Sequence, residues 1–309
     1  MTPHAGRPEA PPTWRAWGLG LVRGSSQIFF QQNLVTGVLI LAAFFVADWR
    51  MGVLAILGAV GGLLGGRLFG ARAADIAAGM QSFCGTLVGA AVFSALGGAA
   101  WWSYVLALLG GVATGLVTWF VQALLASPAL KRYDLPYTTA PFVIVATIIA
   151  LSTLRWSVEP AASALPTDPV PAFAVSLLTN VSQVVLVDSV WSGALILIGL
   201  FVASWKVGLA AVLGSLVGST TAVVMGEPWS EIANGLANYS GVLTAIALAV
   251  TFLRPGVLSW LYALPWIVVT AVVTLVMHRL DLDTYTWPYI LTTWAALVAA
   301  FFVRGLTRA

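Results

Sequence analysis

Long apolar runs separated by short polar segments dominate this chain. A membrane span needs ~20 mostly apolar residues, and ten stretches qualify as candidates. They are about 34–49, 51–70, 75–96, 101–126, 137–153, 190–204, 206–226, 231–253, 257–279 and 286–303. Two further stretches, roughly 18–32 and 173–187, are too short and too mixed to cross, and each carries a Ser-Gln pair. They are expected to be half-helices that enter the membrane and stop, which is tolerated only against protein or a wet cavity. Between the fifth and sixth spans, Ser157 to about Pro171 reads as a linker, with Pro160, Pro166, Pro169 and Pro171 beside Glu159 and Asp168. The expected organisation is a tail over 1–18, a five-helix unit over 19–156, the linker over 157–171 and a second five-helix unit over 172–309.

The two units are copies of each other. Residues 26–49, SQIFFQQNLVTGVLILAAFFVADW, align with 182–205, SQVVLVDSVWSGALILIGLFVASW, with 10 of 24 positions identical at an offset of 156. The same offset pairs Gly52 with Gly208, Gly58 with Gly214, Gly62 with Gly218, Gly79 with Gly235, Gly85 with Gly241 and Leu87 with Leu243. Five spans per copy is an odd number, so the second copy must enter the membrane upside down relative to the first. The fold expected is an all-α integral membrane protein of ten transmembrane helices plus two half-helices, in two inverted five-helix repeats. Repeats of this kind place the solute path near the midplane, where the repeats meet.

Composition sharpens this reading. The chain is 60% hydrophobic and only 8% charged, against about 25% charged in soluble domains. Several of its 14 tryptophans (Trp49, Trp101, Trp102, Trp205, Trp260, Trp287) lie near run ends, as in an interfacial belt. One cysteine, Cys84, leaves no intrachain disulfide framework. The sparse basic residues sit between apolar runs, so they speak to topology and not to nucleic acid. Over the ten spans, 11 Lys and Arg fall on the side holding both termini, and Arg50, Arg155 and Arg279 on the other. Both termini are therefore expected in the cytoplasm, with the protein in the inner (plasma) membrane. No signal peptide is expected, because the first long apolar run begins late and lacks a small-residue cleavage site.

Candidate chemistry is sparse. No span carries a mid-membrane Asp, Glu, Lys or Arg, groups that ion-coupled pumps and proton relays rely on. A passive path for a neutral solute fits better. Asp75 and Glu231 are repeat mates at span starts, where placement beside a helix N-terminus accounts for them. Gln27 and Gln183 are the leading polar pair: each offers two donors and an acceptor, to line a path or to glue helices together. Thr139 and Thr286, aligned through Pro141 and Pro288, either form a narrow polar point beside carbonyls freed by proline or cap a kinked helix. Phe83-Cys84-Gly85-Thr86-Leu87 matches Tyr239-Ser240-Gly241-Val242-Leu243, and in an apolar protein this spacing reads first as packing. Glycines Gly58, Gly62 and Gly66, with Gly214 and Gly218, follow small-xxx-small packing spacing. There is no metal cluster, phosphate loop or nucleophile–base pairing, so neither a cofactor nor an enzyme is expected. A membrane enzyme or sensor would need one of these or a soluble domain.

Taken together, these features resemble the urea transporter family over roughly residues 20–303. The resemblance is carried by Ser26-Gln27-Ile28-Phe29-Phe30 leading into Gly37-Val38-Leu39-Ile40, and Ser182-Gln183-Val184 leading into Gly193-Ala194-Leu195-Ile196. Ile76-Ala77-Ala78-Gly79-Met80 followed by Leu87-Val88-Gly89, and the Leu-Pro-x-x-Thr-x-Pro-Phe stretch ending at Phe142, complete the set. The resemblance implies a homotrimer in the lipid bilayer, with a urea-conducting slot in each subunit. It implies an amide position at Gln27 and Gln183, slot walls at Ile28, Phe30, Val184, Phe83, Leu87 and Leu243, and mid-pore threonines at Thr139 and Thr286. Another small neutral solute, such as ammonia or formamide, is the alternative on the same scaffold. The chain departs from the family pattern in several places. Cys84 and Ser240 stand where an Asn is usual, Leu34 and Val190 where Pro follows the half-helix, Leu186 opposite Phe30, and Leu282-Asp283 where Leu-Pro recurs.

Overall fold

The computed structural model describes residues 12–158, 165–282 and 284–309. Residues 1–11 of the expected tail, with His4 and Arg7, residues 159–164 of the expected linker, with Glu159 and Pro160, and Asp283 lie outside the described residues. The described chain is helical, with a lone antiparallel bridge between Leu253 and Arg308. In order its helices are α1 (Trp14–Gln27), α2 (Leu34–Ala47), α3 (Trp49–Leu68), α4 (Ala73–Ala77), α5 (Phe83–Leu96), α6 (Trp101–Leu125) and α7 (Ala140–Thr153). Then come α8 (Pro169–Gln183), α9 (Val190–Ala203), α10 (Trp205–Val224), α11 (Trp229–Asn234), α12 (Ser240–Ile246), α13 (Val257–Arg279) and α14 (Trp287–Ala300). Helices α3, α6, α10 and α13 are long and apolar enough to cross a membrane, and six shorter apolar helices accompany them. This is the build of a multi-pass membrane protein.

Local chemistry sets the boundaries. Thr13, Asn33 and Ser189 cap α1, α2 and α9, each accepting from a backbone N–H three residues on, at 3.2, 3.0 and 3.2 Å. A single extended residue, Asp48 or Ser204, separates α2 from α3 and α9 from α10, and its side chain caps the second helix. Pro169 and Pro171, read from sequence as linker prolines, open α8, where a missing N–H has no consequence. Asp75 and Glu231 lie in the first turns of α4 and α11, but neither is a cap: Asp75 pairs with Arg72 at 2.8 Å, and Glu231 accepts from Asn234 at 3.0 Å.

Two expectations need correction. The stretches 75–96 and 231–253 are not single spans: each is a short helix, a turn opened by Gly79 or Gly235 at φ 81°, and a second helix. Apolar composition runs through the break, so hydropathy alone does not show it. The second of these helices continues from α12 as a π segment, Ala247–Thr251, where α5 stays regular. Finally, Pro141 and Pro288 sit in the first turns of α7 and α14. They start these helices instead of kinking them, so they free no ladder carbonyl.

Two kinds of contact join the helices. The first is backbone against backbone. A Cβ built on Gly58 would collide with the Gly85 carbonyl, and one on Gly85 with that of Gly58, while Gly61, Gly65 and Gly115 make the same approach between α3 and α6. The second is a reciprocal pair of hydrogen bonds. Thr36 Oγ1 donates to the Gly199 carbonyl at 2.6 Å, and Ser192 Oγ donates to the Ala43 carbonyl at 2.8 Å. The start of α2 therefore meets the end of α9 and the reverse, so the two helices cross antiparallel. Thr36 and Ser192, and Ala43 and Gly199, are 156 residues apart. Most described residues at positive φ also fall into pairs, Gly97 and Gly305 excepted: Phe30 with Leu186, Gly70 with Gly226 and Gly79 with Gly235 at that offset, then Asp134 with Asp281 and Thr138 with Tyr285 at 147.

This packing makes a sharp stability prediction. Gly58→Ala should destabilise the fold by about 1–3 kcal/mol through overpacking. Gly18→Ala, on an exposed face of α1 with nothing among the described residues within 4 Å of the new Cβ, should be neutral or gain about 0.5–1 kcal/mol of helix propensity. Thermal unfolding midpoints in one detergent compare the two, and equal shifts would contradict the backbone contact.

Candidate functional site

Helices α1 and α8 both end inside the protein. The last four residues of α1, Gly24 to Gln27, and of α8, Asn180 to Gln183, are buried. The final carbonyls of a helix lack intrahelical partners, and lipid offers none. The chain answers with the same turn twice. Gln31 N donates to Ser26 O at 3.0 Å and Phe30 N to Gln27 O at 2.9 Å, while Val187 N donates to Ser182 O at 3.2 Å and Leu186 N to Gln183 O at 2.9 Å. This is a Schellman turn, whose left-handed position usually belongs to glycine. Here Phe30 (φ 62°) and Leu186 (φ 64°) occupy it. A bulky residue in that region costs about 1–3 kcal/mol and persists where the surroundings enforce it, often at functional sites. The Ser26 hydroxyl lies 2.8 and 2.7 Å from the carbonyls of Arg23 and Gln31.

The glutamines also act as mates. Gln27 Nε2 donates to the Ala78 carbonyl at 3.0 Å, and Gln183 Nε2 to the Asn234 carbonyl at 2.9 Å. The acceptors, themselves 156 residues apart, lie at the breaks after α4 and α11. One N–H of each amide is thus committed to the scaffold.

The threonines meet. Thr139 Oγ1 and Thr286 Oγ1 are 2.6 Å apart and buried. Neither hydroxyl caps its helix, although each residue holds the N-cap position of α7 or α14. The positions before them, Thr138 (φ 48°) and Tyr285 (φ 37°), are left-handed and turn the backbone sharply at this point. The hydroxyls of Thr138 and of Tyr289, three residues beyond Thr286, are buried and face each other.

Ile28, Phe83, Leu87, Val184 and Leu243 are buried within one continuous apolar core, against which Phe30 and Leu186 pack. Aromatic contacts extend it: Phe30 lies 6.0 Å from Tyr289 and 5.3 Å from Phe252, Phe83 lies 5.9 Å from Tyr137, and Phe142 lies 5.6 Å from Tyr285. A cavity of about 350 Å³ opens beside Leu186, Tyr239, Thr284 and Tyr285. Another, of about 250 Å³, opens beside Phe252, Leu135 and Pro136. Tyr239 donates to the Tyr285 carbonyl at the first cavity.

The structure therefore unites the two threonines directly and gives the two glutamines matching partners. Ile28, Phe83, Leu87, Val184 and Leu243 it places only in a shared core. The sequence pairs Tyr239 with Phe83 but does not single out Tyr285, Tyr289 and Phe252, which the structure brings beside Phe30, Phe142 and Tyr239. These three owe their places to left-handed backbone and to the π segment, which leave no mark on apolar sequence.

Known proteins align with this chain. The profile of a family described as "UT: Urea transporter" matches residues 19–301. Urea transporter 1 of Rattus norvegicus is 29% identical over 290 residues, covering 88% of this chain and 74% of the relative. Urea transporter 1 of Mus musculus matches with the same identity and coverage, and that of Capra hircus is 28% identical.

Replacing Gln27 by Leu would leave the Ala78 carbonyl without its donor. The expected cost is about 1–3 kcal/mol, read as a lowered unfolding midpoint in detergent. An unchanged midpoint would mean that this bond does not hold the half-helix end.

Proposed function

The chain belongs to the urea transporter family, and on that premise we propose that it is a passive channel conducting urea down its gradient through a narrow path in each subunit. The observation that carries this reading is the Thr139–Thr286 contact at 2.6 Å, in a protein whose apolar core also holds Ile28 and Val184 at the buried ends of α1 and α8. The path runs past Gln27 and Gln183 at those ends and past the threonines between them. Its walls are Ile28, Phe30 and Phe83 with Leu87 on one half, and Val184 with Leu243 on the other. Transport of this kind needs no catalytic group.

The chemistry suits urea. The solute is flat and uncharged, with four N–H donors and one carbonyl acceptor. Helix C-termini carry about half a negative charge, so the ends of α1 and α8 favour N–H donors, and the glutamine Oε1 atoms accept as well. Threonine hydroxyls both donate and accept, which lets them pair with either edge of the solute. Apolar walls give a hydrated ion no replacement for its water, so ions stay out. Among the described residues no Asp, Glu, Lys or Arg lies mid-helix in α2, α3, α5–α7, α9, α10 or α12–α14. Coupling to an ion gradient would call for such a group.

The architecture we infer has ten membrane crossings plus two half-helices, arranged as two inverted repeats. The antiparallel α2–α9 crossing and the paired positive-φ residues support it. The assembly is placed as a homotrimer in the inner (plasma) membrane, with both termini cytoplasmic on the distribution of Lys and Arg.

Proteoliposomes under a urea gradient should show fast light-scattering relaxation, and rates equal to empty liposomes would end this reading. Thr139→Val combined with Thr286→Val should slow urea flux about tenfold, since losing one net hydrogen bond at the narrowest point raises the barrier by about 1.4 kcal/mol. Formamide or ammonia outrunning urea in the same assay would point to the other solute class. Cysteine labelling at Arg304 and Arg155 in sealed cells should find Arg304 protected and Arg155 accessible, and the opposite result would reverse the topology.

A further inference from the structure

The Phe30 end of the path carries a device that the Leu186 end lacks. Phe30 packs edge-on against Phe252, with ring centres 5.3 Å apart at 64°. Phe252 reaches that place because α12 passes into the π segment Ala247–Thr251, and Phe252 N closes it by donating to Ala247 O at 2.8 Å. A π turn takes one extra residue, which rotates the downstream side chains by about 100° relative to a regular helix. The matching position of the first half, Leu96, ends a regular α5. Leu186, the mate of Phe30, lines an open cavity beside Tyr239 and Tyr285.

Phe252 is also clamped from behind. Arg254 N donates to Thr307 O at 2.9 Å, and Ala309 N donates to Phe252 O at 3.2 Å, around the antiparallel bridge of Leu253 with Arg308. The Arg308 guanidinium lies 5.7 Å from the Phe252 ring centre, within cation–π range. The same guanidinium donates to the Asp134 carbonyl and sits 4.0 Å from the Asp134 carboxylate. Asp134 lies in the loop between α6 and α7, with its backbone in the left-handed region. Three separate pieces of chain thus converge on one ring, and that ring bears on Phe30.

We propose that Phe252 is a specificity-determining positioning residue: clamped by residues 307–309, it fixes the Phe30 ring and so the width of the slot at that end. This rests on the channel reading above. A slot held by two locked rings passes a flat solute and resists one carrying an added methyl group. Releasing Phe252 lets Phe30 swing, and the wider solute gains more than urea does.

The test uses the full chain in proteoliposomes and measures the permeabilities of urea and N-methylurea. Wild type should conduct urea well above empty liposomes. Phe252→Ala should raise the N-methylurea to urea ratio about threefold or more, the scale on which a pocket discriminates one methylene being tenfold or above. Phe252→Tyr keeps the ring and should retain the wild-type ratio, and Arg308→Ala should shift the ratio in the same direction as Phe252→Ala, by less. A well-reconstituted Phe252→Ala whose two fluxes fall together at constant ratio would show a purely structural role and overturn the proposal. Should Phe252→Ala not fold, Phe252→Leu and Arg308→Ala decide the matter, and unchanged ratios in both overturn it. Absence of urea flux in the wild type would sink the channel reading and this proposal with it, whereas flux at an unmoved ratio sinks this proposal alone.

Discussion

Everything near the centre of this molecule depends on ending two helices where there is no water. A helix that stops inside a membrane protein leaves carbonyls that must find partners within the protein. Here the partners are the backbone N–H groups of a tight turn, closed by Gln31 and Phe30 in one half and by Val187 and Leu186 in the other. The turn forces a bulky residue into the left-handed region, and that is how the Phe30 and Leu186 side chains are aimed. The glutamines then tie each end to a carbonyl at a break in a neighbouring helix. The breaks and the ends depend on each other. Gly79 and Gly235 open the breaks, and a Cβ on either would strike the backbone of the half-helix, at Gly24 and Arg23 or at Thr179 and Asn180.

The rest of the fold brings these ends together at close quarters. Side chains as small as hydrogen let α3 lie against α5 and α6 backbone to backbone, which in an apolar solvent supplies the van der Waals contact that water would otherwise drive. Between the halves, the Thr36 and Ser192 hydroxyls hold α2 and α9 in reciprocal register. That crossing, with the turns at Thr138 and Tyr285, brings Thr139 and Thr286 from distant parts of the chain to a single hydrogen bond.

The halves are matched but not equal, and the inequality has a physical pattern. In the second half Ser176, Asn180, Ser215, Ser219 and Asn238 form a buried hydrogen-bonded cluster, with Asn238 Nδ2 to Ser219 Oγ at 2.5 Å and Asn180 Nδ2 to Ser215 Oγ at 2.8 Å. The corresponding positions of the first half are Gly20, Gly24, Ala59, Leu63 and Ser82. One half-helix is seated by small residues and close approach, the other by polar glue. The two turns diverge likewise: Phe30 packs ring against ring on Phe252, and Leu186 lines a cavity.

The membrane setting, the duplication at 156 residues and the matched glutamines and threonines are legible in the amino-acid order alone. Each of these is written in composition or in a repeated spacing, and Gln27 with Gln183 and Thr139 with Thr286 stood out because polar side chains are rare in apolar runs. Tertiary structure alone decided where helices break and which rings meet. The stretches 75–96 and 231–253 look continuous because lipid-facing and core-facing residues are equally apolar. The breaks at Gly79 and Gly235 exist because another segment packs there. The left-handed turns at Thr138 and Tyr285 and the π segment before Phe252 are likewise imposed by distant neighbours. The duplication that the sequence announces so clearly therefore describes the frame, while the difference between the Phe30 and Leu186 turns is a matter of packing.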